Sequence, residues 1–328
     1  MIDTDTQRDH GGNLDEAIQH YGGSDWIDLS TGINRTPWPI PDLPPTCWKD
    51  LPTRTDQHRL LQAARTAYQT TAPGLALAGA QSAIQLVPQL SEPGTARIIG
   101  PTYNEHAASL KANGWEVKIV HRLEALAGAQ LAVVVNPNNP GGQHYPADQL
   151  LQLHQQVGTL VVDESFGDAC PELSLAPHAN QKGLVILRSF GKFYGLAGLR
   201  LGFMFADETT ISRAADLCGP WPVSGIAIEV GTQALLDSSW KNNMIRQLRG
   251  DAARLDNLAE NCKWRLDGGT ELFRTYTTPN AKEVRESLAN AQIWTRIFPW
   301  SDQVIRVGLP GNESEWNRLA TAMGVLNR

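Results

Sequence analysis

Five consecutive apolar residues, Leu131-Ala132-Val133-Val134-Val135, constrain this chain more than any other feature of its sequence. A strand with one wet face alternates apolar and polar residues, whereas an unbroken run of this length suits a strand covered on both faces. Similar runs recur at residues 75–78, 96–99, 117–120, 160–162, 184–187 and 199–205, with helical patterns between them. This alternation predicts an α/β fold: a large domain whose mainly parallel sheet is covered by helices.

The flanks read differently. Residues 1–53 are punctuated by Gly11-Gly12, Gly22-Gly23 and a proline-rich stretch from Pro37 to Pro52, and read as an irregular N-terminal segment. A helix is predicted after it, capped by Thr55 or Asp56, because Leu60, Leu61, Ala64 and Ala67-Tyr68 recur at helical spacing. Residues 225–262 read as helix. Strands at 272–276, 293–297 and 304–307, a helix at 281–289 and a last helix from Glu313 complete a smaller C-terminal α+β domain. The expected division is an N-terminal segment at 1–53, a large cofactor-binding domain at 54–225 and a small domain at 226–328.

Composition excludes several classes. With 328 residues, 41% of them hydrophobic, the chain can bury more than one core. A net charge of −6 and dispersed cations give no basic face for a nucleic acid. Cys47, Cys170, Cys218 and Cys262 lie far apart, with no C-x-x-C pair and no histidine cluster at metal-ligand spacing, so reduced thiols and no metal are expected. Residues 1–10 lack the apolar core of a signal peptide, and no apolar run approaches the ~20 residues that span a bilayer, so a cytoplasmic protein is expected.

Chemistry concentrates in three segments. In Ser189-Phe190-Gly191-Lys192-Phe193-Tyr194-Gly195-Leu196-Ala197-Gly198-Leu199-Arg200-Leu201-Gly202 a strand gives way to a glycine-rich turn that presents one lysine. A serine three residues before it and an arginine eight after suit an amine that joins a phosphorylated aldehyde. Ser189-x-x-Lys192 also fits the nucleophile motif of penicillin-binding enzymes, but their S-D-N and K-T-G elements are absent. Asp163, in Val161-Val162-Asp163-Glu164-Ser165-Phe166, closes a buried run, at the strand end where open α/β sheets bind ligands. Asn136-Pro137-Asn138-Asn139-Pro140-Gly141-Gly142 follows the preceding strand and opens on the same sheet edge.

Together these segments resemble fold-type-I pyridoxal-phosphate enzymes of the aminotransferase class I/II superfamily, over nearly the whole chain. The resemblance implies pyridoxal 5'-phosphate as cofactor, Lys192 as its Schiff-base lysine and Asp163 as the partner of its ring nitrogen. It also implies Asn139 on the ring hydroxyl, Tyr103 stacked on the ring, and Ser189, Arg200 and Gly79-Ala80-Gln81 around the phosphate. Arg306 matches the arginine that binds the substrate carboxylate. Such enzymes are generally homodimers.

Two positions depart from the pattern: Phe166 stands where transaminases usually carry tyrosine, and Leu51-Pro52 where many relatives have Tyr-Pro. Within the superfamily the chain resembles the decarboxylases that act on L-threonine O-3-phosphate in cobalamin biosynthesis. The segments that carry this are His10-Gly11-Gly12-Asn13, Asp28-Leu29-Ser30-Thr31-Gly32-Ile33-Asn34, Pro220-Trp221-Pro222-Val223-Ser224 and Ile293-Trp294-Thr295-Arg296. A phosphorylated amino acid needs two anion sites; Arg296 and Arg306 could supply guanidinium groups, and His10, Gly11, Gly12 and Asn34 further donors. Two other readings are an aminotransferase for a substrate such as histidinol phosphate, and a non-catalytic cofactor-binding regulator. Phe166 speaks against the first. The intact lysine, aspartate and arginine set speaks against the second.

Overall fold

The apolar runs become the strands of a seven-stranded sheet, with the runs at 75–78 and 117–120 on its two edges. The structure, a computed structural model, describes residues 10–325; the first nine residues of the expected N-terminal segment and the last three of the expected small domain lie outside the described residues. In chain order the strands are β1 (Ile27–Asp28), β2 (Gly74–Leu77), β3 (Thr95–Ile99), β4 (Glu116–Val120), β5 (Leu131–Val135), β6 (Thr159–Asp163), β7 (Leu184–Ser189), β8 (Gly202–Phe205), β9 (Arg265–Thr270), β10 (Phe273–Thr277), β11 (Ile293–Trp294), β12 (Arg296–Phe298) and β13 (Ser301–Gly308). The chain divides into two compact units. One joins the residues up to Thr36 with Pro140–Gly142 and Ile245–Arg328, and the other holds Pro37–Asn139 and Gln143–Met244.

The second unit carries the large sheet, ordered β2-β8-β7-β6-β5-β3-β4. Strands β3 to β7 are parallel, and β8 runs antiparallel between β2 and β7. All five residues of β5 are buried, as a strand covered on both faces requires. Leu77, Val133, Val161, Val185, Leu187 and Met204 lie in one core with Ile84 and Leu110 from flanking helices. Because β2 and the parallel strands point the same way, the loops after β2, β3, β5, β6 and β7 share one sheet edge.

Three local expectations are corrected. The helix starts at Arg54, not after Thr55: Thr53 is its cap, and Asp56 returns a bond to the Thr53 backbone in a capping box. The run 199–205 is not one strand. Leu199 ends a short 3-10 turn, Arg200 is left-handed with φ 54°, and β8 begins at Gly202, where a Cβ would lie 2.4 Å from the Ala80 amide nitrogen. Leu201 continues the apolar run because it is buried in the turn, not because it is in the strand. Finally, residues 225–262 form two helices, Gly225–Leu236 and Ser238–Asn261. Asp237 separates them by accepting from the Trp240 amide at 2.9 Å and from Trp38 Nε1 at 3.1 Å.

The other unit has a four-stranded antiparallel sheet, β12-β13-β10-β9, and a two-stranded parallel pair, β1-β11. The expected strand at 293–297 is therefore two: β11 pairs with β1, β12 pairs with β13, and Thr295 stands between them. Strand β9 has no apolar signature because it is a polar, glycine-bearing edge strand. Its glycines permit a close backbone approach: a Cβ on Gly268 would meet the Gly141 carbonyl oxygen at 2.1 Å, and one on Gly142 would meet Gly269 at 2.2 Å. That contact ties Pro140–Gly142 to this unit. The helix Leu14–Tyr21 packs through Ala17 on Trp294 and Ala289, with Tyr21 and Trp26 around them.

Candidate active site

Lys192 is presented by a single helical turn, Phe190–Phe193, that starts where the fully buried β7 ends. The turn is held by an aromatic stack: Phe190 lies on Tyr194 with ring centroids 4.4 Å apart, and Tyr194 on Trp240 at 5.5 Å. The Lys192 amine lies 4.8 Å from the centre of the Phe166 ring. Phe166 is buried, so the position where transaminases carry a phenol is here an apolar surface beside the amine.

Asp163 ends β6 on the same edge, 2% exposed. One carboxylate oxygen lies 2.8 Å from His106 Nε2 and the other accepts from the Ser165 amide at 2.9 Å. Burial by itself works against ionisation; the hydrogen bond and charge interaction with His106, aided by Lys192 and Ser165, outweigh it and bring the carboxyl down to about 2. An ionised carboxylate only accepts, so Nε2 of His106 carries the proton. His106 is absent from the sequence-based set of site residues. Its one local signal is the three-residue spacing from Tyr103, which puts both on one side of the start of the helix Glu105–Ala112, with ring centroids 6.3 Å apart.

Tyr103 follows β3 and donates its hydroxyl to Gln81 Oε1 at 3.0 Å, while Gln81 Nε2 donates to the buried Glu105 at 3.2 Å. Gly79, after β2, has φ +81° and caps the helix Ala80–Leu86 without a side chain, leaving the first amides of that helix without a side-chain cap. A Cβ at Gly79 would lie 2.8 Å from Arg200 Nη2, so the glycine is what lets the guanidinium approach this turn. Arg200 is exposed and donates Nη1 to the Ala197 carbonyl at 3.0 Å, and Ser189 is buried at the end of β7. Asn139 follows β5 in a loop pinned by its neighbour: Asn138 accepts from the Thr102 hydroxyl at 2.6 Å and donates to the Pro101 carbonyl at 3.0 Å. The structure thus gathers Lys192, Asp163, Asn139, Tyr103, Ser189, Arg200 and Gly79-Ala80-Gln81 at one sheet edge.

Beneath that edge lies a buried ion triplet. Arg188, one residue before Ser189, donates to Glu164 at 2.8 Å and pairs with Asp168 at 3.1 Å. Glu164, one residue after Asp163, also accepts from the Ser174 hydroxyl and the Leu175 amide, both at 2.6 Å. These ion pairs therefore lock the ends of β6 and β7 next to the candidate residues Asp163 and Ser189.

The other unit holds the second set. Arg296 on β12 and Arg306 on β13 are directly opposed Cα partners, so their side chains leave the same sheet face. Like charges placed opposite each other destabilise a sheet, and an anion relieves that cost. Arg306 is buried, donates to the Ser30 carbonyl and lies 5.1 Å over the Phe273 ring. The Ser30 hydroxyl accepts from the Gly12 amide at 2.8 Å, so this residue links the N-terminal glycines to Arg306. His10 and Gly11 line a cavity with Arg296. Asn34 is buried and accepts from the Thr36 amide at 2.9 Å.

Residues 54–322 match the family model described as aminotransferase class I and II. The chain belongs to that family. Among relatives of this aminotransferase-family chain, a threonine-phosphate decarboxylase from Sinorhizobium sp is 41% identical over 327 residues, covering 96% of this chain and 97% of that protein. A second, from Pseudomonas aeruginosa, is 37% identical over 324 residues with the same coverage. The fold is shared with histidinol-phosphate aminotransferase from Sinorhizobium meliloti, solved with pyridoxal-5'-phosphate, at TM-score 0.83 and 19% identity, over 96% of this chain and 94% of that one. Among the described residues of this family member no helix is long and apolar enough to cross a membrane.

Proposed function

We propose that this chain is a pyridoxal-phosphate-dependent carboxy-lyase that converts L-threonine O-3-phosphate to (R)-1-amino-2-propanol O-2-phosphate, in cobalamin biosynthesis. The observation that carries the reading is the near full-length similarity to two threonine-phosphate decarboxylases. The site fits the cofactor on its own terms. It has an amine at a strand end, a buried carboxylate held ionised by His106, and a side-chain-free turn where a guanidinium meets uncapped amides.

When bound, pyridoxal phosphate supplies a conjugated ring that takes up the electron pair released at the substrate α-carbon. The chain's residues do the rest. Lys192 would hold the cofactor's aldehyde carbon, and its amine, when free, would supply the proton that Cα gains in place of the lost carboxylate. Asp163, held ionised, would accept from a protonated ring nitrogen and keep the ring able to take up electrons. Asn139 would donate to the ring hydroxyl, Tyr103 would stack on the ring, and Ser189, Arg200 and the amides of Ala80 and Gln81 would hold the cofactor phosphate, with Gly79 making room. Arg306 takes the substrate carboxylate. Arg296, His10, Gly11, Gly12 and Asn34 take the substrate phosphate.

Phe166 puts a ring instead of a hydroxyl beside Lys192, which favours the lyase over the transaminase reading. A cytoplasmic homodimer is the form we infer. The setting suits a charged, membrane-impermeant substrate, and Trp48, Leu51 and Trp221 leave apolar surface that a second copy would cover. Incubation of the holoprotein with phosphothreonine tests the reaction. Carbon dioxide release without a keto-acid acceptor, abolished by Lys192→Ala, is expected; conversion to a keto acid refutes it.

A further inference from the structure

Within the unit that carries Arg296 and Arg306, a cavity of ≈ 300 Å³ opens between the N-terminal residues around His10 and the first turn of the helix Ala281–Asn290. Its floor is the place where the chain leaves one sheet for another. Thr295 lies between β11 and β12, so its side chain belongs to neither ladder. It is 1% exposed, lines the cavity, and its hydroxyl has no hydrogen-bond partner. A buried hydroxyl left in that state destabilises the protein unless a ligand or ordered water meets it.

Arg285 lines the same cavity from the helix. Its guanidinium lies 4.9 Å from the centre of the buried Trp294 ring, a platform that fixes the fork, and its Nε is buried without a hydrogen-bond partner. Lys282 and Arg296 add two more cations, against the carboxylates of Glu16 and Asp302. Glu16 is already engaged by the Asn13 amide group at 3.4 Å. A neutral hydroxyl donor, a pre-positioned guanidinium and an excess of positive charge are the donor set of a phosphate group, whose oxygens only accept.

We infer that Thr295 and Arg285 complete, with Arg296, the site for the phosphate monoester of the substrate. This rests on the proposed substrate and names two recognition residues for it. Thr295 donates its hydroxyl to one phosphate oxygen. Arg285 donates from its fork to others, and Trp294 keeps that fork from folding away.

The test uses the holoenzyme, whose cofactor already fills its own phosphate site, and the variants Arg285→Gln and Thr295→Val. Inorganic phosphate binding is measured by calorimetry, alongside KM and kcat for phosphothreonine and the affinity for L-threonine, which lacks the phosphate. Loss of one such donor to an anion should raise the phosphate Kd and KM by about tenfold. Saturated turnover and L-threonine affinity should stay within about twofold, and Thr295→Ser should restore binding. Unchanged phosphate Kd and KM in both variants overturns the inference, as does an equal loss for L-threonine. If the wild-type holoenzyme does not decarboxylate phosphothreonine but binds phosphate, and the variants lose that binding, the cavity's role stands and the proposed substrate falls. Decarboxylation with unaffected variants has the opposite meaning.

Discussion

Replacing His106 with leucine should cost activity through Asp163. Burial opposes the charge on Asp163, and His106 supplies the leading opposing interactions, a 2.8 Å hydrogen bond and a nearby charge. The carboxyl lies at about 2 against an ordinary 3.8, a difference worth roughly 2.5 kcal/mol at ~1.4 kcal/mol per pH unit. Without His106 the burial cost remains, so the carboxyl rises at least to its ordinary range. If that loss is expressed in the reaction, kcat falls about 60-fold. The pH profile is more diagnostic. Because the folded-state value is depressed, its stabilising effect is fully present above 3.8 and is lost as pH falls through about 2. The wild type should therefore show no acid limb from this group above about pH 4, whereas His106→Leu should gain one that lies about two pH units higher. His106→Gln, which keeps an N–H donor but no charge, should fall between. Steady-state kinetics from pH 4 to 8, with urea denaturation at pH 3 and 7, measure both effects. A leucine variant with kcat within about threefold and an unmoved acid limb would refute the role given to His106.

Three further outcomes are expected. Gly79→Ala places a Cβ 2.8 Å from Arg200 Nη2 at a φ of +81°, and should weaken pyridoxal-phosphate binding by at least about tenfold in a fluorescence titration; unchanged affinity would remove Gly79 from the phosphate cradle. Arg188→Met leaves Glu164 and Asp168 buried without their cation and should cost about 3–5 kcal/mol by urea unfolding, a loss that vanishes if the triplet is dispensable. Phe166→Tyr offers the cofactor's ring oxygen a phenol donor and should lower the pH midpoint of the bound cofactor's visible absorbance by about one unit; an unchanged midpoint would show that the hydroxyl does not reach it.

The parallel sheet was readable because a strand buried on both faces must be apolar along its covered length, as are all of β5, Leu160–Val162 of β6 and Leu184–Leu187 of β7. Where apolar continuity had another cause, the reading failed. Leu201 is buried in the turn that positions Arg200, Leu199 is only half-buried there, and the strand begins at Gly202. Strand β9 escaped notice for the converse reason: an edge strand of polar residues and glycine buries too little to leave a pattern.

Local chemistry of the chain picked out the candidate site residues: a lysine between serine, glycines and arginine, an aspartate closing an apolar strand, an asparagine loop one strand away. Those signals are short-range, since a strand end and its following turn are specified by a dozen neighbouring residues. Only the tertiary structure decided that His106, 57 positions from Asp163, holds its charge. It alone set Arg296 opposite Arg306, and paired Arg188 of β7 with Glu164 and Asp168. These pairings depend on strand order and register, which join residues distant in sequence, and a buried polar group reveals its purpose only through the partner that makes its burial affordable.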